Sequence, residues 1–253
     1  MAIPNTAWVR ERFLGAGMSH KDFDLLVIGA HPDDAEVHVG GLLALASRRG
    51  LRAGILDLTS GDLGTRGTRE TRREEAAESA KILGVERHDL GFPDGRFTEE
   101  ENYRLPLMAK LRELRPEVLI LPAPEDRHPD HRRAHRLGRE AAYYAGLKNY
   151  PCDGEPWRPK AVAWMAGEMP GHPDLVVDVS EVWLTRMAAF DAFGSQFTAD
   201  SSAPTRIAHP AFRRGVEGRA MHYASFLLCD WAEALWCEKP VPQALMDLLE
   251  KLK

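Results

Sequence analysis

The chain contains no apolar run approaching the roughly 18 residues that a membrane-spanning helix needs. Its opening stretch, MAIPNTAWVRERFLGAGMSHKDFD, lacks the uninterrupted apolar core of a signal peptide. Cysteine is scarce: Cys152, Cys229 and Cys237 include no CxxC pair and cannot build a disulfide framework. These absences set the expectation of a reducing, cytoplasmic setting without a membrane partner. Positive charge is not in excess either. Lys+Arg number 33 against 38 Asp+Glu, a net −5 with His neutral, which argues against nucleic acid as a partner. Repeats, low-complexity tracts and a dividing linker are all missing. What is present is 44% hydrophobic and 28% charged over 253 residues, enough to fill a core and exclude disorder. The expected organisation is an N-terminal tail over 1–22 and a single domain over 23–253.

Short β-rich apolar runs alternate with helical spacing. Strands are expected at 24–30 (DLLVIGA), 52–58, 87–90, 117–121 (EVLIL), 161–166 and 175–179. Helices are expected from Pro32 to about Arg49, over 72–83, 99–115, from the HPDH segment to about Ala145, and over 181–193 with Ser180 as cap. Residues 198–219, rich in Ser, Pro, Gly and Arg, read as a long loop, and 220–252 as mainly helical. The alternation predicts an α/β fold: a Rossmann-like, mostly parallel sheet with helices on both faces. In such a sheet the site lies at the C-terminal ends of the strands.

Two polar clusters each follow a buried strand: His31-Pro32-Asp33-Asp34 after DLLVIGA, and His128-Pro129-Asp130-His131 after EVLILPAP. The first turn is not GxGxxG, so it lacks the glycines that let a dinucleotide phosphate approach. An imidazole and two carboxylates there repel phosphate but suit a cation. His31, Asp34 and His131 form a His₂Asp set of the kind that holds catalytic zinc and leaves a position for water. Asp33, beside it, is a candidate general base. His38 follows Asp34 by four residues and is a candidate substrate-binding residue. His135 follows His131 by four; the spacing suits a metal pair or a solvated helix, and both readings stand.

At these residues the sequence resembles the LmbE-like, or PIG-L, zinc-dependent N-deacetylases. Ala30–Asp34 (AHPDD) matches that family's first motif and His128–His131 (HPDH) its second. LDLTSGDLGTRGT (56–68), RREEAAESAKILGV (72–85), EDRHPDH (125–131) and SQF (195–197) resemble the branch of bacillithiol-pathway N-acetylglucosaminyl-malate deacetylases. The resemblance spans about residues 24–240. It implies zinc on His31, Asp34 and His131, with Fe²⁺ or Co²⁺ as alternatives that an N/O set does not discriminate against. It implies Asp33 as base and His128 as the group that stabilises the oxyanion or protonates the leaving amine. Asp130 would be the partner of His128, and Arg72 a substrate contact. It also implies a homo-oligomer, a hexamer or trimer. The chain departs from the branch at His38, where relatives usually carry Gly, and over 218–236.

The expected reaction is therefore hydrolysis of the acetamide of a small anionic N-acetyl sugar. Arg66, Arg69, Arg72 and Arg73 cluster after the second strand, and Arg127, Arg132, Arg133, Arg136 and Arg139 surround the second motif. Arg72 and Arg66 are the candidates for gripping carboxylates, since guanidinium binds them bidentately. Glu74, Glu75, Glu78 and Glu140 are the competing partners for these arginines on solvated helix faces. Other N-acetyl sugars, an amide of a thiol conjugate and a non-catalytic sugar-binding module are the alternative functions. Phe226, Leu227, Leu228, Trp231, Leu235 and Trp236 form an apolar stretch suited to the core or to a subunit interface.

Overall fold

A computed structural model describes residues 21–167, 172–200 and 202–253, so the tail expected over 1–22 lies outside the described residues except at its end. Seven strands make one sheet: β1 (Phe23–Gly29), β2 (Ala53–Thr59), β3 (Glu86–Phe92), β4 (Pro116–Leu121), β5 (Ala161–Met165), β6 (Leu175–Asp178) and β7 (Ala232–Cys237). The spatial order is β3-β2-β1-β4-β5-β7-β6. The pairings from β3 across to β5 are parallel, and β7 runs antiparallel to β5 and β6. The fold is the mostly parallel α/β sheet that the alternation predicts.

β1 and β4 are immediate neighbours, with Leu25 opposite Val118 and Val27 opposite Ile120. The chain winds outward from β1 through β2 to β3, then returns to β4 on the other side. Ligand clefts form at the carboxyl ends of strands where the winding reverses in this way. Both histidine motifs leave the sheet at that point.

Helices cover both faces. α1 (Asp34–Arg48), α2 (Arg69–Leu83), α5 (Trp183–Asp191) and α8 (Gln243–Leu252) lie on one; α3 (Glu101–Leu114) and α4 (Pro129–Ala145) lie on the other. α6 (Gly194–Phe197) is a single turn, and α7 (Pro210–Ala224) packs with β7. The two faces bury separate apolar clusters: Leu25, Val27, Leu43, Ile55 and Phe190 on one side, Leu26, Ile28, Leu56, Leu111 and Leu137 on the other. Each such side chain contributes about 1.5–3 kcal/mol on burial. Local signals set the ends. Thr68 caps α2 by accepting from Thr71 N at 3.2 Å, and Gly84 closes it in the left-handed conformation at φ 69°.

The largest departure from the sequence expectation is at the C-terminus. Residues 220–252 are not mainly helical: they include β7, threaded between β5 and β6. AEALWC is short and has no break before it, so its apolar spacing suits helix and strand alike. Its place in the sheet decides the outcome. The expected loop over 198–219 is also shorter, because α7 begins at Pro210. The helix expected over 181–193 starts with a 3₁₀ turn, and Ser180 belongs to that turn instead of capping α5. The apolar stretch 226–236 divides: Leu235 is core, whereas Phe226, Leu227 and Leu228 are exposed.

Candidate active site

The two motifs meet over the carboxyl ends of β1 and β4. Asp34 begins α1, while Pro129, Asp130 and His131 form the first turn of α4. His128 caps that turn, its Nδ1 accepting from Asp130 N at 3.2 Å. The rings of His31, His128 and His131 gather within centroid distances of 4.8–5.6 Å.

Each imidazole of the expected metal set is gripped on one side and open on the other. His31 Nε2 lies 3.1 Å from Asp94 and 3.4 Å from Asp130, and its Nδ1 is 3.8 Å from Asp34. His131 Nδ1 lies 3.2 Å from Asp126, and its Nε2 is 3.2 Å from Asp34 Oδ1. Asp34 Oδ2 accepts from the N–H of Ala30 and His31 at 2.8 and 3.0 Å, which leaves Oδ1 to the cleft. Metal-binding imidazoles carry a carboxylate on their far nitrogen for the same reason: it fixes the tautomer and aims the ring. His31 Nδ1 and His131 Nε2 therefore both turn toward the Asp34 carboxylate, the arrangement the expected His₂Asp set requires. Among the described residues, the groups whose ligand atoms all lie within 4.8 Å of one another are His31, His128 and His131, and His31, Asp94 and Asp130; Asp34 belongs to neither. In these alternatives Asp94 and Asp130 already occupy His31 Nε2, and only Nε2 of His128 is unengaged.

The electrostatics agree with a cation site. Burial pulls His31 down, but Asp130, Asp94 and Asp34 outweigh it and push it up to about 9. His131 is pushed up to about 11, because Asp34 and Asp126 outweigh burial. Asp34 is held far below the carboxylate range by His131 and His31 against the opposing effect of burial. The carboxylates that hold protons on both rings provide a field that attracts a divalent ion equally well. His128 moves the other way: burial and the charge of His31 lower it, leaving a neutral ring. With Nδ1 accepting from Asp130, that neutral ring carries its proton on Nε2.

Asp33 sits beside this set in a backbone conformation that L-residues avoid, φ 122° and ψ −23°. Arg72 of α2 holds it there. Its Nη2 donates to Asp33 Oδ2 at 2.8 Å and to Pro32 O, and its Nη1 donates to Gly61 O at 3.3 Å. Burial pushes Asp33 up to about 7, against the lowering effect of Arg72. Gly61 is where the sequence concedes space: at φ 66°, a Cβ there would stand 2.3 Å from Arg72 Nη1.

These motifs line a cavity of about 440 Å³ with Leu63, Gly64, Thr65, Arg127, Gln196, Phe197, Thr205, Arg206, Ile207 and Phe212. His38 lines it too, pushed down to about 3 by burial and by Arg219. The structure gives several of the singled-out residues partners that the sequence did not show. The Asp130 carboxylate serves His31, Gly95 N and Arg133, and meets His128 only through its backbone N–H. Arg72 faces Asp33, so its guanidinium is already engaged. Arg66 is outside the cavity lining and donates to Thr198 O at 2.5 Å. His135 belongs to the core: its Nδ1 bonds Pro122 O at 2.8 Å and its ring stands edge-on to Trp164. Glu75, an expected arginine partner, instead accepts from Ser195, and Glu140 accepts from Arg104. Sequence reasoning missed Asp94 and Asp126. Asp126 stands in EDRHPDH, but Asp94 follows β3 and carries no local signal.

The PIG-L family profile, described as GlcNAc-PI de-N-acetylase, matches residues 26–142, which include both histidine motifs. Diacetylchitobiose deacetylase of Thermococcus kodakarensis is 32% identical over 192 residues, covering 70% of this chain and 71% of the relative. The chain belongs to the PIG-L family. Another PIG-L relative, the 1D-myo-inositol 2-acetamido-2-deoxy-alpha-D-glucopyranoside deacetylase of Streptomyces scabiei, is 30% identical over 59% of this chain and 58% of its own length. The crystal structure of a conserved protein from Thermus thermophilus is 40% identical with a TM-score of 0.79, covering 87% of this chain and 96% of that one. PIG-L membership makes this chain one of a deacetylase family that acts on N-acetylglucosamine conjugates. No helix among the described residues is long and apolar enough to cross a membrane.

Proposed function

We propose that the protein hydrolyses the acetamide of an N-acetylglucosaminyl conjugate, with N-acetylglucosaminyl-malate as the candidate substrate. The observation that carries the reading is that His31 Nδ1 and His131 Nε2 both face the Asp34 carboxylate, at 3.8 and 3.2 Å, with Asp33 next in the chain. Those three residues would hold zinc, or iron(II) or cobalt(II) in its place. When bound, such an ion supplies Lewis acidity toward the acetyl carbonyl and acidifies water.

The chain's own groups divide the remaining work. Arg72 holds Asp33 Oδ2, so Asp33 Oδ1 is left to take the proton of the attacking water. The water oxygen bonds to the acetyl carbon, and His128 Nε2–H faces the charge that gathers on the acetyl oxygen. The carbon–nitrogen bond then breaks. The proton held on Asp33 goes to the departing amine, and acetate leaves. Leu63, Phe197, Ile207 and Phe212 supply apolar wall that keeps bulk water from the amide.

Arg127 and Arg206 line the same cavity, and their positive charge favours an anionic aglycone. A second reading has its own support. Similarity to a diacetylchitobiose deacetylase favours an uncharged N-acetylated disaccharide. A cytoplasmic homo-oligomer completes the proposal, with exposed Phe226, Leu227 and Leu228 as support for a subunit contact. Acetate release from N-acetylglucosaminyl-malate, diacetylchitobiose and N-acetylglucosamine separates the readings. Higher kcat/KM on the malate conjugate supports the anionic substrate; preference for the disaccharide moves the reading to chitooligosaccharides.

A further inference from the structure

α1 is two helical segments. Val39, at φ −140° and ψ 23°, interrupts it. A break frees backbone donors and acceptors inside a buried helix, and side chains from other elements satisfy them. Glu233 of β7 accepts from the N–H of Gly41 and Leu42 at 2.8 and 2.7 Å, as a carboxylate caps a helix start. Arg186 of α5 donates to Val37 O at 2.9 Å and stands 3.4 Å from Glu233. Both residues are buried. Gly40 and Gly41 give them room: a Cβ on Gly41 would fall 3.0 Å from Glu233 Oε1, and one on Gly40 3.2 Å from Arg186 Cγ. An unbroken helix would satisfy these groups itself. A buried ion pair is a poor route to stability, so its gain lies in the specific geometry it imposes.

The residue immediately before the break is His38. It lines the active-site cavity and also a cavity of about 20 Å³ shared with Arg186, Arg219, Tyr223 and Glu233. It belongs to neither of the two close groups nor to the proposed ligand set, and its ring makes no hydrogen bond to protein among the described residues. We propose that His38 binds the sugar by hydrogen-bonding a ring hydroxyl, and that Glu233 and Arg186 position it by holding α1 broken at Val39. An imidazole offers one donor and one acceptor, which complements a hydroxyl. The N-acetyl sugar is taken from the deacetylase reading above.

A double-mutant cycle tests the coupling. KM and kcat for acetate release, and calorimetric affinity for N-acetylglucosamine, are measured for metal-loaded wild type, His38→Leu, Glu233→Leu and the double variant. Loss of one substrate hydrogen bond raises KM and weakens affinity about three- to tenfold in either single variant, with kcat changed less. The double variant is no worse than the weaker single one, and Glu233→Gln, which keeps an acceptor, recovers most of the loss. If Glu233→Leu does not fold, the cycle with Glu233→Gln reads the same coupling at smaller amplitude. Unchanged affinity in His38→Leu, or two losses that multiply, overturns the proposal. A wild type that binds the sugar but releases no acetate counts against the deacetylase reading alone; a wild type that binds no N-acetyl sugar overturns both.

Discussion

Arg72→Met separates two roles for the same arginine. The resemblance implies a substrate contact, whereas the structure places the guanidinium on Asp33, Pro32 O and Gly61 O. Both partners are buried, Arg72 at 4% and Asp33 at 8% exposure. Removing one member of a buried pair costs about 3–5 kcal/mol, because the other charge stays buried and unpaired. In a chain of this size each kcal/mol moves Tm by roughly 2–4 °C, so Tm should fall by about 10 °C. The partners of Arg72 are Asp33, Pro32 O and Gly61 O and not His31, Asp34 or His131, so bound metal should remain. The base should lose its orientation, and kcat should fall by about 10²–10⁴ on every substrate, charged or neutral. Adding Asp33→Asn removes the stranded charge, so the double variant should be more stable than the sum of the single losses. Thermal melts, metal analysis and kcat on a malate conjugate and on N-acetylglucosamine read all of this. If kcat survives while KM rises only for the carboxylate-bearing substrate, Arg72 is a substrate clamp and the assignment fails. Additive stability losses would equally refute the pairing.

Other outcomes follow from the same contacts. Asp126→Asn takes the carboxylate from His131 Nδ1, so metal affinity by competition with a chromogenic chelator should drop about 10–100-fold. His128→Phe should lower kcat by about 10²–10³ with little change in KM; an unchanged kcat removes it from the oxyanion role. Gly61→Ala places a methyl against Arg72 and should reproduce the Arg72→Met loss of kcat in weaker form, checked by steady-state kinetics. At the edge of β1 and β4, burial raises Asp24 and Glu117, but Lys21, Arg52 N–H and Lys160 hold both below their ordinary 3.8 and 4.5. Acids with depressed folded values stabilise above their unfolded values, and that stability goes as pH falls through the folded ones. Tm should therefore drop below about pH 4, and Asp24→Asn should flatten that drop.

The histidine motifs were legible because each follows an apolar run that only a buried strand explains. Asp33, Asp34 and His131 stood out by chemistry as candidates, since an imidazole and two carboxylates repel phosphate and suit a cation. Their meeting was not legible: it depends on β1 and β4 being neighbours, and pairing order leaves no local mark. Asp94 escaped notice for the same reason, as it reaches His31 from the end of β3 across 63 positions. β7 was misread because AEALWC is too short for periodicity to decide. Glu233 within it carries no local signal, and its two bonds to the broken stretch of α1 account for its burial. Arg72 was found, but its pairing with Asp33 was not: sequence shows a charge near a site, not which charge it faces.

In the proposed site His31, Asp34 and His131 hold an ion without which Asp33 has no substrate to act on. Acetate release from an N-acetylglucosaminyl conjugate, measured on chelator-stripped protein before and after adding back zinc, iron(II) or cobalt(II), tests it most directly. Stripped protein should release no acetate, about one ion per chain should restore release, and His131→Ala should show neither tight binding nor restoration. Undiminished release from stripped protein, or full restoration in His131→Ala, would contradict it.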